Sequence, residues 1–412
     1  MTRSLGHLSA LSTSLMTEPG CSHFTWTHAA AHLEPARSQA LHVLLLVDET
    51  GASTVISDAP FSELTVNDRS GLRAMAEKHG LSVINLEEPL PLTPVHIAKP
   101  WGQEIWYSGI EARGVSLVGG TSIAWLLDVF GPFLGCEKAP LLLKILDPLP
   151  TENLGDLYFE MHEQKIEVYV VTSIDQNAWP DGTGAIRYGF NPQKLAEYNS
   201  REAFLTAYVE QVSNYQDCRN EIDGLIENRA DSIPETLQEK EKRLREAMYA
   251  FTELKPLKTG DVVTVRPLVP HSLQHGVRVV EFQTPHYERY ILSFGQKVLT
   301  QDHWDTSEVF DKAMTEPVEF DPPKPLGDNQ DLVADFDEFK VTRIQIATGE
   351  SVTLENDQYT LLMGIQGDLQ FDTGVTLQPE TAFFVPHKKR VSLSNKTESP
   401  AIVLVAEEAS SD

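Results

Sequence analysis

The chain has 412 residues, too many for one ordinary domain and enough to bury two or three cores. Hydrophobic residues make up 41% and charged residues 23%, the balance of a soluble globular protein. Lys and Arg number 33 against 60 Asp and Glu, so the formal charge of -27 repels nucleic acid and anionic membrane, and any phosphorylated ligand needs local Lys, Arg or metal to hold it.

The three cysteines, Cys21, Cys136 and Cys218, are far apart and show no Cys-x-x-Cys spacing. That argues against a disulfide framework or a thiolate zinc site and fits a reducing compartment. No apolar run reaches membrane-spanning length, and the opening Met-Thr-Arg-Ser-Leu-Gly-His-Leu lacks the sustained apolar core of a signal peptide. The expectation is a cytoplasmic protein with neither nucleic acid nor membrane as a partner.

Residues 1–97 carry little patterning. Ala40 to Asp48 reads as a buried strand, Ser70 to His79 as a short helix and Leu81 to Leu86 as a second strand, together a small α/β extension without a motif. From Lys99 onward short strands dominate: Ile105 to Tyr107, Gly114 to Val118, Leu157 to Met161 and Ile166 to Thr172, with Ser122 to Phe133 apolar at helical spacing between them. Residues 201–255 predict two helices. Phe204, Tyr208, Val212, Tyr215, Cys218, Ile222 and Leu225 form the stripe of the first; Leu237, Leu244, Met248 and Phe251 form that of the second, with Ser232 as its cap and Pro234 near its start. Strands resume at Asp261 to Val265 and Val277 to Phe282. The Pro-rich, then Asp-rich residues 321–338 predict a linker. A last set of strands follows: Val341 to Ile346, Tyr359 to Gln366, Leu369 to Phe371, Ala382 to Val385, Arg390 to Leu393 and Ile402 to Ala406.

The chemistry concentrates in Leu157-Tyr-Phe-Glu-Met-His-Glu-Gln-Lys-Ile-Glu-Val-Tyr-Val-Val171. Residues two apart on a strand share a face, so Glu160 and His162 project together. A tight turn over Glu163 to Lys165 returns the chain and sets Glu167 beside them. His271, at the end of Gly260-Asp-Val-Val-Thr-Val-Arg-Pro-Leu-Val-Pro-His271, offers a fourth ligand. Imidazole nitrogen and carboxylate oxygen together suit zinc, manganese or iron(II). A lone Glu-x-His is more often a surface feature; the combination with His271 favours a metal. The last set of strands offers only His387, without a His-x-His or Glu-x-His partner, and is expected to hold no metal.

Several of these stretches resemble the type I phosphomannose isomerases, zinc-dependent double cupins with a helical insertion. Lys99-Pro-Trp-Gly102 resembles their opening segment, and Ala139-Pro-Leu-Leu-Leu-Lys-Ile-Leu146 their Lys-bearing strand. Phe159-Glu-Met-His162 and Lys165-Ile-Glu-Val-Tyr169 sit where the family carries its first metal ligands. Gly260-Asp261 through His271, Gly276 and Glu281-Phe-Gln283 follow its later pattern with matching spacings. The resemblance covers roughly residues 98–410 and is weakest toward the C-terminus. It implies a mainly β fold of two jelly-roll cupin barrels: residues 98–325 binding a metal and carrying the helical insertion 201–255, residues 330–412 metal-free, and residues 1–97 an N-terminal extension. It implies Zn²⁺, or another divalent ion such as Mn²⁺ or Fe²⁺, on Glu160, His162, Glu167 and His271.

The implied activity is aldose–ketose interconversion of a sugar or sugar phosphate through an enediol, as in mannose-6-phosphate isomerase. Lys144 is then expected near the metal and Arg289 near the reacting carbons; Glu281 is a base or a structural strand carboxylate. A small-molecule sugar is the expected partner, and a homodimer is compatible with the sequence. The chain also departs from the family. Glu160 replaces a Gln ligand, only four residues separate His162 from Glu167 where the family has a long loop, the segment before the metal His reads Arg266-Pro267-Leu268, and the Arg of Thr284-Pro-His-Tyr-Glu-Arg289 falls two residues early. These departures keep a non-catalytic sugar-phosphate-binding cupin as the alternative. The mixed ligand set also permits an iron(II) oxygenase, which the resemblance disfavours.

Overall fold

The computed structural model describes residues 3–8, 10–30, 37–61, 66–137, 139–229, 232–297 and 304–409. Met1 and Thr2 of the N-terminal reading, residues 230–231 of the helical insertion and residues 298–303 of the segment expected to bind metal lie outside them. The chain is mainly β. It divides into two compact units, one of residues 1–97, 105–144 and 323–412, the other of residues 98–104 and 145–322. Each unit is thus assembled from discontinuous stretches of the chain.

In the second unit two sheets share one core. One includes, in order, Val262–Val265, Glu167–Ile174 and Val277–Gln283. The other runs Thr252–Leu257, Gly184–Phe190, His271–Leu273, Phe159–Met161, Tyr290–Ser293. Val171, Val263, Val265 and Val279 of the first sheet join Ile186, Leu273 and Ile291 of the second in a single buried cluster. Helices Arg201–Glu227 and Glu235–Tyr249 bring Phe204, Tyr208, Val212, Tyr215 and Met248 to that cluster, the stripe that the three- and four-residue spacing predicts. Ser200 caps the first helix by accepting from Ala203 N–H. The second begins after Pro234, its N-cap residue, with no side-chain cap, so Ser232 does not serve there.

In the first unit, strands Gly20–Ala30, Arg37–Asp48 and Gly51–Ser57 form the body of a five-stranded sheet covered by helix Arg69–Lys78. A nine-stranded sheet contains the C-terminal strands Phe339–Ile346, Thr360–Gln366, Ala382–Val385 and Ala401–Glu408. It shares a core with a four-stranded sheet through Leu362, Phe383, Val403, Phe371 and Leu393. Leu90–Thr93 pairs with Ala382–Val385, Leu92 opposite Ala382, so the first 97 residues contribute a strand to the C-terminal sheet. The expected linker is also strand: Lys324–Gly327 and Gln330–Asp335 form a hairpin at the sheet's edge. Pro325 within the hairpin is tolerated because an edge strand leaves one row of N–H positions unpaired. The sheets remain open, with no closed barrel among the described residues. No described helix is long and apolar enough to cross a membrane.

Candidate metal centre

Alternation along Phe159–Met161 sends the Phe159 ring toward Phe190 and Tyr208, 5.9 and 6.4 Å between centroids, and Glu160 to the opposite face. His271 sits directly across from Glu160 on the neighbouring antiparallel strand. Glu167 opens the strand Glu167–Ile174 on the other sheet of the unit. The two sheets thereby bring four donors to one place. His162 Nε2 lies 3.7 Å from Glu160 Oε1 and 3.5 Å from Glu167 Oε2. His271 Nε2 lies 3.3 Å from that same Oε2. The donor atoms of Glu160, His162 and His271 all fall within 4.8 Å of one another.

The spacings from His162 to both carboxylates and from His271 to Glu167 are near those around a small tetrahedral ion, whose ligands, about 2.0–2.2 Å from it, stand roughly 3.3–3.6 Å apart. The histidine tautomers fit as well. His162 Nδ1 donates to the Glu288 carbonyl at 3.1 Å and His271 Nδ1 to the Val269 carbonyl at 3.0 Å. A carbonyl only accepts, so each Nδ1 carries a proton, and in the neutral ring the lone pair is on Nε2. Both Nε2 atoms are buried and make no hydrogen bond among the described residues. Burying such acceptors costs about 1–3 kcal/mol each unless a ligand takes them.

The electrostatics agree. Burial, reinforced by the Lys165 charge, lowers the His162 pKa to about 4 against the opposing pull of Glu167 and Glu160, so the imidazole is neutral at pH 7, the form that binds metals. Burial alone would raise Glu167, but Lys165 and the two histidines outweigh it and hold its carboxyl well below the ordinary value. Lys165 Nζ lies 2.5 Å from Glu167 Oε1, and the Tyr169 hydroxyl donates to Oε2 at 2.8 Å. Burial, then Glu167 and Glu281, push the Tyr169 phenol well up, so it remains a donor. Arg289 Nε stands 3.9 Å from Glu160 Oε2, its guanidinium over the Tyr158 ring at 4.7 Å. Each acidic donor thus has a cation beside it.

Of the other residues singled out in the sequence, Glu281 is wholly buried on Val277–Gln283, opposite Tyr169 in register. Lys144 is buried on Leu142–Pro148. His275 bonds Asp156 at 2.7 Å and stacks on Trp179, a structural role; His286 bonds Thr284 Oγ1 at 3.1 Å. Sequence reasoning missed Lys165, Tyr169 and Glu288. The first two were detectable, because Lys165, Glu167 and Tyr169 follow one another at two-residue steps. Glu288 was not: its carboxylate accepts the Gln164 and Lys165 N–H groups while its carbonyl orients His162, contacts that only the tertiary fold creates.

No family model and no curated protein sequence matches the chain. Solved structures do. Mannose 6-phosphate isomerase from Bacillus subtilis is 16% identical with a TM-score of 0.54, over 77% of this chain and 99% of that one. A substituted variant of phosphomannose isomerase from Salmonella typhimurium is 12% identical with a TM-score of 0.58, over 78% of this chain and 100% of its own. A zinc-bound mannose 6-phosphate isomerase is 12% identical with a TM-score of 0.57, over 78% and 100%. At these identities the likeness is one of fold: this chain is built like the phosphomannose isomerases.

Proposed function

We propose that the protein is a metal-dependent aldose–ketose isomerase of a sugar or sugar phosphate, built on a divergent double-cupin scaffold. The observation that carries this is the convergence of two buried Nε2 atoms without a hydrogen-bond partner and two carboxylates, with 3.3 to 3.7 Å between neighbouring donors and cations beside both carboxylates. A divalent ion on Glu160, His162, Glu167 and His271, zinc or in its place manganese or iron(II), would supply polarisation of the substrate's carbonyl and hydroxyl oxygens. Isomerisation removes a proton from one carbon and returns it to the next through an anionic enediolate. Lys165 and Arg289 supply positive charge for that anion inside a protein of charge -27. Glu281 is the proposed base, and Lys144 a second cation for the pocket. The neighbours named as mannose 6-phosphate isomerases support a phosphorylated hexose as substrate.

A second reading, a sugar-phosphate-binding protein without turnover, is favoured by one observation: Glu281 is 0% exposed, enclosed within a sheet rather than open to a ligand. Metal analysis combined with proton exchange separates the two. With mannose 6-phosphate or fructose 6-phosphate in deuterated water, an isomerase incorporates deuterium at the second carbon of the aldose and the first carbon of the ketose. Stoichiometric metal and sugar binding without exchange sinks the isomerase reading.

A further inference from the structure

The unit made of residues 1–97, 105–144 and 323–412 contains a cavity of about 760 Å³ that shares no residue with the metal centre. Strand Gly20–Ala30 and helix Ile123–Leu134 supply two of its walls. The volume lies within the range of sites that enclose small organic molecules. Met16, Leu127 and Phe133 give it apolar walls.

One polar arrangement interrupts them. Alternation along Gly20–Ala30 puts Trp26 and His28 on the same buried face. Trp26 Nε1–H donates to Asp128 Oδ2 at 3.1 Å, and His28 Nδ1 donates to the same oxygen at 2.8 Å. Asp128 Oδ1 accepts nothing among the described residues, and the side chain keeps 38% exposure where it lines the cavity. Two rigid donors therefore fix this carboxylate and leave one oxygen presented as an acceptor. Glu137 adds a second carboxylate to the lining, while no Lys or Arg among the described residues belongs to it.

We propose that this cavity binds an amphipathic amine, its protonated amino group on Asp128 and its aromatic or aliphatic body against Met16, Leu127 and Phe133. An anion would face two carboxylates, with no Lys or Arg among the described lining residues to offset them. A purely apolar molecule would strip water from Asp128 and put nothing in its place. A free sugar would leave its hydroxyls unpaired against the apolar walls. An ammonium with an apolar body satisfies both the charge and the walls.

Three probes with one body and different heads test this: phenethylamine, phenethyl alcohol and hydrocinnamate, titrated calorimetrically into the full-length protein. A charge-assisted hydrogen bond predicts that the amine binds about tenfold more tightly than the alcohol, with no binding of the carboxylate. Asp128→Asn keeps the shape and an acceptor but removes the charge; it brings the amine down to the affinity of the alcohol. Glu137→Gln, at an exposed position, weakens the amine less and leaves the alcohol unchanged. Ala124→Trp fills the cavity and abolishes binding of both. Equal affinity for the three probes, an amine affinity undiminished in Asp128→Asn, or no amine binding at millimolar concentration overturns the proposal. Metal content and isomerase assays do not enter these readouts, so this proposal and that of the metal centre fail separately.

Discussion

His271 stands directly opposite Glu160 across the strand pair, and its Nδ1 donates to the carbonyl of Val269 two residues before it. The backbone thus fixes both where the imidazole stands and which nitrogen carries the proton. His271→Ala removes one of the two unpaired ring nitrogens and should weaken metal affinity by at least about 100-fold, the most that losing a group that merely orients a ligand costs. Metal retained after dialysis against a weak chelator is the measurement. Retention equal to wild type would mean that His271 holds no ion.

Gly102 sits at φ +147, where a Cβ would collide with the carbonyl oxygen of Asp147. Gly102→Ala therefore pairs a rarely populated backbone with a contact against main chain that has no flexible end to yield. The expected loss is about 1–3 kcal/mol of stability, read from the chemical denaturation midpoint of the unit of residues 98–104 and 145–322. A neutral substitution would show that the turn relaxes freely.

The His162 pKa sets a pH window for the metal-free protein. An unfolded histidine titrates near 6.5, whereas burial and Lys165 lower this one to about 4 in the folded state. Between those values the unfolded chain takes up a proton that the folded chain refuses. Stability is therefore complete above about pH 6.5 and declines as the pH falls toward 4, by about 3 kcal/mol in all. Below that, protonation of Glu167, whose carboxyl is held low, continues the loss. Denaturation of the chelator-treated protein across this range checks the sign; His162→Gln should flatten the upper part of the curve.

The legible parts of the sequence were those with local periodicity. The two helices after residue 200, the strands around Glu160 and Glu167 and most C-terminal strands follow from apolar spacing alone. Leu369–Phe371 and Ala382–Val385 agree with it to the residue. What escaped was non-local or lay where composition misleads. The prolines of residues 321–325 argue for a linker, yet Pro325 costs little in an edge strand, and Lys324–Gly327 is exposed along its whole length. The pairing of Leu90–Thr93 with Ala382–Val385 depends on a partner almost 300 residues away. At the site, the alternation of Glu160 and His162 is visible locally, but Glu288, which pins both the His162 tautomer and the following turn, has no signature of its own.

Lys165 is the sharpest case, because the turn to which its sequence assigned it left no role for its charge. The side chain is buried and rests on Glu167 at 2.5 Å, with Glu167 itself 1% exposed. Without a metal, Lys165 sets a full positive charge directly against that carboxylate, while burial keeps the His162 ring neutral. Lys165→Met preserves the buried stem and removes only the charge. Breaking a buried pair in this way leaves an uncompensated carboxylate and costs about 3–5 kcal/mol. The metal-free variant should therefore be strongly destabilised, with its acid transition moved to higher pH because Glu167 loses the cation that keeps it ionised. A divalent ion restores positive charge at the same carboxylate, so zinc should recover most of the lost stability and shift the midpoint more in the variant than in wild type. If Lys165 also stabilises an enediolate, turnover stays low in the zinc-loaded variant although its fold and metal content are restored. Equal destabilisation with and without zinc would show that Lys165 acts through packing, and that the metal does not meet Glu167.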